Sequence, residues 1–163
     1  MKKSINNKVI RNKINNIGAI WISGVSVSGK TTLGKLLYDD LIKYGIKNVK
    51  FMDGDDLRKK QNKQYGHSLS ERYELLHNYI KIVKTENING NIIIISTVSH
   101  KRDMRQMARK LLESFFEINL ICSPKVCAER DIKNILGVIF IIMNIPIKGK
   151  NENLYLTRIR KWI

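Results

Sequence analysis

The run GVSVSGKT at residues 24–31 fits the pattern G-x-x-x-x-G-K-[ST] without a gap. Each residue type in it has a reason in phosphate chemistry. Gly24 and Gly29 let the backbone bend, so that the N–H groups of Val25, Ser26, Val27 and Ser28 can face a phosphate chain. A helix opening at Lys30 would add its positive end to the same anion site. Lys30 is placed to reach the β- and γ-phosphates of ATP, the Thr31 hydroxyl to ligate Mg²⁺, and Thr32 to finish the loop. A bland alternative is a glycine turn that happens to carry a lysine. The flanks argue against it, because an apolar strand-like run precedes the motif and a helical pattern follows it.

A second cluster, MDGDDLR at residues 52–58, ends the next apolar run. In open α/β sheets, ligands bind beyond the carboxyl ends of strands. There Asp53 and Asp55 can hold or orient Mg²⁺, and one of them can accept the proton of an attacking hydroxyl. Arg58 can clamp an anionic group of a phosphate acceptor. The competing reading is an Asp-Gly-Asp-Asp turn that caps a helix.

The elements that must carry these clusters are legible from periodicity. Strands are expected at 18–23 (GAIWIS), 48–53 (NVKFMD), 91–96 (NIIIIS) and 115–122 (FFEINLIC). The continuous β-branched run at 91–96 suits a strand buried on both faces of a parallel sheet. Leu33, Leu36, Leu37, Leu41 and Tyr44 recur at helical spacing up to a stop at Gly45. Residues 70–86 read as a helix capped by Ser70, with Leu75, Leu76, Ile80 and Val83 on one stripe. Helical periodicity returns over 100–114, and Ser123-Pro124 opens a helix to about 132. Strands alternating with helices predict an α/β domain of the three-layer P-loop NTPase type, with a mostly parallel sheet of about five strands. Residues 1–16, with five basic and no acidic residues, read as a basic arm; residues 17–163 read as a single domain, whose last part, 134–163, differs in texture.

Composition narrows the function classes further. The formal charge is +16, from 30 Lys and Arg against 14 Asp and Glu. This fits either an anion-attracting surface or compositional drift, since Lys, Asn and Ile are all over-used and the lysines are scattered. No nucleic-acid motif accompanies the charge. Cys122 and Cys127 are too few for a zinc site, and His67, His77 and His100 share no ligand spacing. The N-terminal run never reaches an apolar signal core, and the most apolar stretch, 135–145, falls short of the roughly 20 residues that cross a bilayer. A cytoplasmic protein without membrane or specific nucleic-acid partners is expected.

Taken together, the ordered motifs resemble the adenylyl-sulfate kinase (APS kinase) family. The P-loop is followed by Asp-Gly-Asp-x-Leu-Arg; GHSLSERYE at 66–74 resembles the family's Gly-Phe-Ser and Asp-Arg-x-Glu segment. STVSHKRDMR at 96–105 and the Cys-x-x-Arg-Asp-x-Lys pattern within 115–133 match in the right order, so the likeness runs from about residue 20 to 133. The resemblance implies transfer of the ATP γ-phosphate to the 3′-hydroxyl of adenylyl sulfate, with Mg²⁺ as cofactor, and a homodimer as partner state. By position, Gly24 to Thr32 would bind ATP, with Thr31 and Asp53 serving the metal and Lys30, Asp53, Asp55 and Ser99 the transfer. Asp55, Arg58, His67, Arg72, Ser99 and Lys133 would contact the acceptor. Ser99 matches the serine described in the family as a phosphoserine intermediate; direct in-line transfer needs no such relay, and an acceptor contact suffices.

The departures fall where the acceptor base would lie. His67 replaces the family's aromatic platform, Leu75 replaces an Asn, and Lys133-Asn134-Ile135-Leu136 stands where a Lys-Gly-Leu-Tyr lid is expected. They motivate a second expectation, a same-family kinase for another nucleotide such as a nucleoside diphosphate derivative of surface-polysaccharide modification. A third is a non-catalytic remnant.

Overall fold

The computed structural model describes residues 17–99, 101–123, 126 and 127. In chain order these form strand β1 (Ala19–Gly24), helix α1 (Lys30–Lys43), strand β2 (Val49–Asp53), helix α2 (Gly54–Lys59), helix α3 (Leu69–Ile88), strand β3 (Ile92–Thr97), helix α4 (Arg102–Leu111) and strand β4 (Phe115–Leu120). All strand pairs are parallel, in the order β2-β3-β1-β4. The sheet therefore has four strands among the described residues, against the expected five or so. The expected helix beyond Ser123 and everything after it lie largely outside the described residues. What is described there fits a cap: the Val126 N–H donates to Ser123 Oγ at 3.3 Å and the Cys127 N–H to Ser123 O at 3.0 Å.

The two central strands, β1 and β3, are buried at every position. Their side chains alternate between two cores, as a period of two requires. Ala19, Trp21, Ile93 and Ile95 pack with Leu75, Leu76, Tyr79, Ile80 and Val83 of α3 and with Met104 and Ala108 of α4. Ile20, Ile22, Ile92 and Ile94 pack on the opposite face with Leu41 of α1, Ile46 and Val49. Helices on both faces of a parallel sheet make the three layers that the alternation of elements implied.

Helix boundaries correct two expectations. Helix α3 is capped by Ser68 and not by Ser70. The physical reason is a capping box: Ser68 has Glu71 three residues on, so each side chain satisfies the other's backbone N–H, whereas Ser70 is followed at that spacing by Tyr73. Helix α4 is shorter than the 100–114 pattern, running Arg102–Leu111, because Leu112 turns to extended geometry ahead of β4. Among the described residues no helix is long and apolar enough to cross a membrane.

Register delivers the site. Asp53 pairs with Ser96, and Ser23 with Thr97, so the carboxyl ends of β2, β3 and β1 finish side by side beneath the loop that leads into α1.

Candidate active site

The loop between β1 and α1 is held in shape by its residue types. Gly29, the N-cap of α1, has φ 93°. Gly24 could not carry a side chain, since a Cβ would lie 2.7 Å from Leu120 O and 2.8 Å from Ser28 Oγ. Val27 adopts φ 64°, a left-handed conformation that a β-branched residue rarely takes. Such strain gathers at ligand-binding loops. Ser28 Oγ is buried without a hydrogen-bond partner among the described residues, an arrangement a phosphate oxygen would satisfy.

Lys30, the first residue of α1, is only 8% exposed and donates from Nζ to Val25 O at 2.5 Å. Burial lowers its pKa, and the charges of Asp55 and Asp53 oppose that shift. One turn of chemistry away, Asp53 gathers three donors. Thr31 Oγ1 donates to its Oδ2 at 2.6 Å, Ser96 Oγ to the same oxygen at 2.9 Å, and the Asp55 N–H to Oδ1 at 2.9 Å. Burial alone would raise the Asp53 pKa, but the bonds from Thr31, Ser96 and the Asp55 and Asp56 N–H groups prevail and hold it below the usual carboxylate range. Asp53 is also the N-cap of α2. The two readings of Asp-Gly-Asp are thus compatible: one carboxylate caps the helix and faces the P-loop threonine.

The charges of Asp55 and Arg58 both act on Tyr79. The Tyr79 hydroxyl donates to Gly54 O at 2.5 Å, and its pKa is raised by burial and by Asp55, with Arg58 opposing. Arg58 Nη2 reaches back to the carbonyls of Tyr65 and Gly66, the latter at 2.7 Å, while Arg72 Nε donates to His67 O at 3.0 Å. Burial and the neighbouring Arg58 charge both lower the Arg72 pKa. Among the described residues no carboxylate pairs with either guanidinium. His67 lies beside both, and burial, Arg58 and Arg72 lower its pKa, with Glu71 opposing.

Ser99 is placed differently. It is 2% exposed; its Oγ accepts from Trp21 Nε1 at 3.3 Å and its carbonyl from Arg105 at 3.1 Å. Arg105 and Arg109 both pair with Glu117, at 2.7 and 2.6 Å, and Arg109 covers Phe115, which touches Trp21. Ser99 therefore closes a ring of contacts joining β1, α4 and β4. Leu75, one of the departures from the expected pattern, packs in the core at 8% exposure. Lys133 lies outside the described residues. Sequence reasoning did not single out Ser96, whose only signal was a hydroxyl ending an otherwise all-isoleucine strand, or Glu71, hidden as a helix-start residue.

Comparison with known proteins fits this geometry. Residues 17–138 match the family model for adenylylsulphate kinase. A probable adenylyl-sulfate kinase of Archaeoglobus fulgidus is 39% identical over 118 residues, 71% of this chain and 74% of that protein. A cytidine diphosphoramidate kinase of Campylobacter jejuni is 34% identical over 121 residues, 74% of this chain and 70% of that protein. The Mycobacterium tuberculosis APS kinase, solved in complex with AMPPNP and APS, superposes with a TM-score of 0.68 at 27% identity, covering 78% of this chain and 75% of that one. With its P-loop, its parallel sheet and the Asp53 cluster in register, the chain belongs to the adenylylsulphate kinase family, nucleotide kinases that transfer a phosphoryl group to a hydroxyl acceptor.

Proposed function

We propose that this kinase phosphorylates the 3′-hydroxyl of adenylyl sulfate, using Mg-ATP and giving 3′-phosphoadenylyl sulfate. The observation that carries the reading is the pair Arg58 and Arg72, two neighbouring guanidiniums with no described carboxylate partner, Arg58 lying one helical turn from Asp55 on α2. A cationic pair so placed suits an acceptor that brings its own anionic group beside the hydroxyl to be phosphorylated.

The acceptor oxygen forms a bond to the γ-phosphorus as the bond to the β,γ-bridging oxygen breaks, and that electron pair leaves with ADP. Asp55 takes the hydroxyl proton. Lys30 exchanges its Val25 carbonyl for the phosphates, and the burial that lowers its pKa also sharpens its electrostatic effect in a dry site. The Thr31 hydroxyl and the ionised Asp53 carboxylate are oxygen donors of the kind Mg²⁺ selects, so these two residues would hold it. When bound, Mg²⁺ neutralises charge on the β- and γ-phosphates. Ser99, buried under the Trp21 indole, acts here by holding the segment after β3, and no covalent relay is assigned to it.

A second reading is supported by the Campylobacter relative and by His67, an imidazole where the family's aromatic platform was expected. On that reading the acceptor is a cytidine diphosphate derivative. The experiment is ADP release coupled to a spectrophotometric readout, with adenylyl sulfate and cytidine diphosphoramidate as parallel acceptors. Turnover with adenylyl sulfate supports the first reading; turnover with the cytidine compound alone replaces it by the second. ATP binding with neither activity would sink both.

A further inference from the structure

The segment between α2 and α3 has no regular structure, yet three side chains take up its backbone polar groups. Arg58 holds the carbonyls of Tyr65 and Gly66, and Arg72 holds that of His67. Glu71 takes the opposite side: Oε1 accepts from Gly66 N at 2.8 Å, and Oε2 from Ser68 N at 3.1 Å and from Ser68 Oγ. A capping box needs only the bond to the N-cap residue, Ser68. The bond to Gly66 is extra, and it spans the His67 peptide. It also explains the glycine, because a Cβ at position 66 would lie 2.6 and 2.8 Å from the two carboxylate oxygens.

We infer that Glu71 is a positioning residue for the acceptor: its carboxylate bridges Gly66 and Ser68, fixing the loop so that His67, Arg58 and Arg72 stand in one arrangement before the acceptor arrives. This rests on the kinase reading above. Glu71 touches no reacting atom. Its effect is preorganisation, which lowers the ordering cost of binding without changing the chemical step.

Two substitutions separate this role from helix capping. Glu71→Gln keeps one acceptor oxygen for Ser68, and therefore the cap, but the NH₂ that replaces the other oxygen is a donor and cannot accept from Gly66. Gly66→Ala displaces the carboxylate from the other side. Each is expected to raise the KM for the acceptor about tenfold, the scale of losing one hydrogen bond to a charged group. The kcat and the KM for ATP stay within about twofold, as for an interaction made equally in ground and transition states. The double variant is no worse than the poorer single one, since both break the same bond. Hydrogen exchange at the Gly66 amide is read in the same proteins without substrate, and it should accelerate about tenfold in Glu71→Gln.

Unchanged Gly66 exchange in Glu71→Gln overturns the bridge itself. Faster exchange with an unchanged acceptor KM, or a parallel loss in kcat and both KM values, reduces Glu71 to a cap and overturns the positioning role. If wild-type protein uses neither adenylyl sulfate nor cytidine diphosphoramidate, the kinase reading fails and the acceptor role falls with it, while the exchange data still decide the bridge.

Discussion

The two loops beside the candidate site are built in opposite ways. The P-loop leaves β1, a strand buried at every position, and enters the fourteen-residue helix α1. Its shape comes from glycines, from a strained Val27 and from the lysine folded back on Val25. On the proposed function, the backbone itself would offer donors to the phosphates there. The loop from Lys60 to Ser68 joins the six-residue α2 to α3, and it is shaped by side chains that capture its carbonyls and amides. A triphosphate is the same for every kinase of this kind, so its site can be written into backbone geometry. An acceptor differs from one kinase to the next, and a loop held by exchangeable side chains can be retuned by single substitutions. The contrast predicts that substitutions in the first loop lower transfer with every acceptor alike, whereas those in the second alter which acceptor is used and how tightly.

Lys30→Ala tests the first half most severely. Loss of one preorganised charge on the transferred group should lower kcat by a factor on the order of 10²–10³ with every acceptor. Stability should hardly fall, because the residue lost is a buried cation whose pKa is already lowered by its surroundings. Near-full turnover, measured by ADP release, would remove Lys30 from the site. Arg58→Ala tests the second half, with an expected rise of about 10- to 100-fold in acceptor KM, the scale of a lost charge-assisted contact. The KM for ATP should stay put. An effect confined to ATP would break the comparison.

Asp53 lies where the two loops meet, and its behaviour with pH is a smaller test. Its folded-state pKa lies below the ordinary value because the bonds from Thr31, Ser96 and the α2 amides outweigh burial. The associated stability is therefore present in full above about pH 4, the unfolded value, and is lost as pH falls through the depressed folded value. Relative to wild type, Asp53→Asn should melt lower between pH 5 and 7, by no more than a few degrees, since solvent screens this partly exposed carboxylate. The gap should close below pH 4. A gap that persists undiminished to pH 3 would mean that the carboxylate's charge is not what those donors stabilise.

The same contrast governs what could be read from the residues alone. The P-loop was legible because backbone-built sites demand particular residue types at fixed spacing, and glycine, lysine and threonine leave few alternatives. The strands were legible because β1 and β3 are buried on both faces and must be apolar throughout. Asp53 was legible by position, although its bond to Ser96 depended on the β2–β3 register, which no local pattern contains. The loop between α2 and α3 was only partly legible. Arg58 and Arg72 stood out as charges, but their bonds to the carbonyls of residues 65–67 depend on how the chain doubles back between helices. Ser99 was named through the family resemblance, whereas its bond from Trp21, 78 residues away in sequence, depends on packing that no local pattern contains.

The smallest expected effect concerns the strain that distinguishes the P-loop from its counterpart. At φ 64° a β-branched side chain clashes with its own backbone, whereas glycine occupies that region freely. Holding a residue in a sparsely populated region costs roughly 1–3 kcal/mol. Glycine elsewhere in an ordered segment costs about 0.5–1 kcal/mol in extra chain entropy. Val27→Gly therefore sets two terms of opposite sign against each other. The expected net change is between zero and a gain of about 2 kcal/mol, read as a raised urea midpoint at constant slope. Activity should fall modestly even as stability rises, because the loop would then reach its ligand-bound shape from a wider ensemble. A lowered midpoint would mean that Val27 contributes packing beyond its strain, and the picture of a loop held under tension for its ligand would have to be given up.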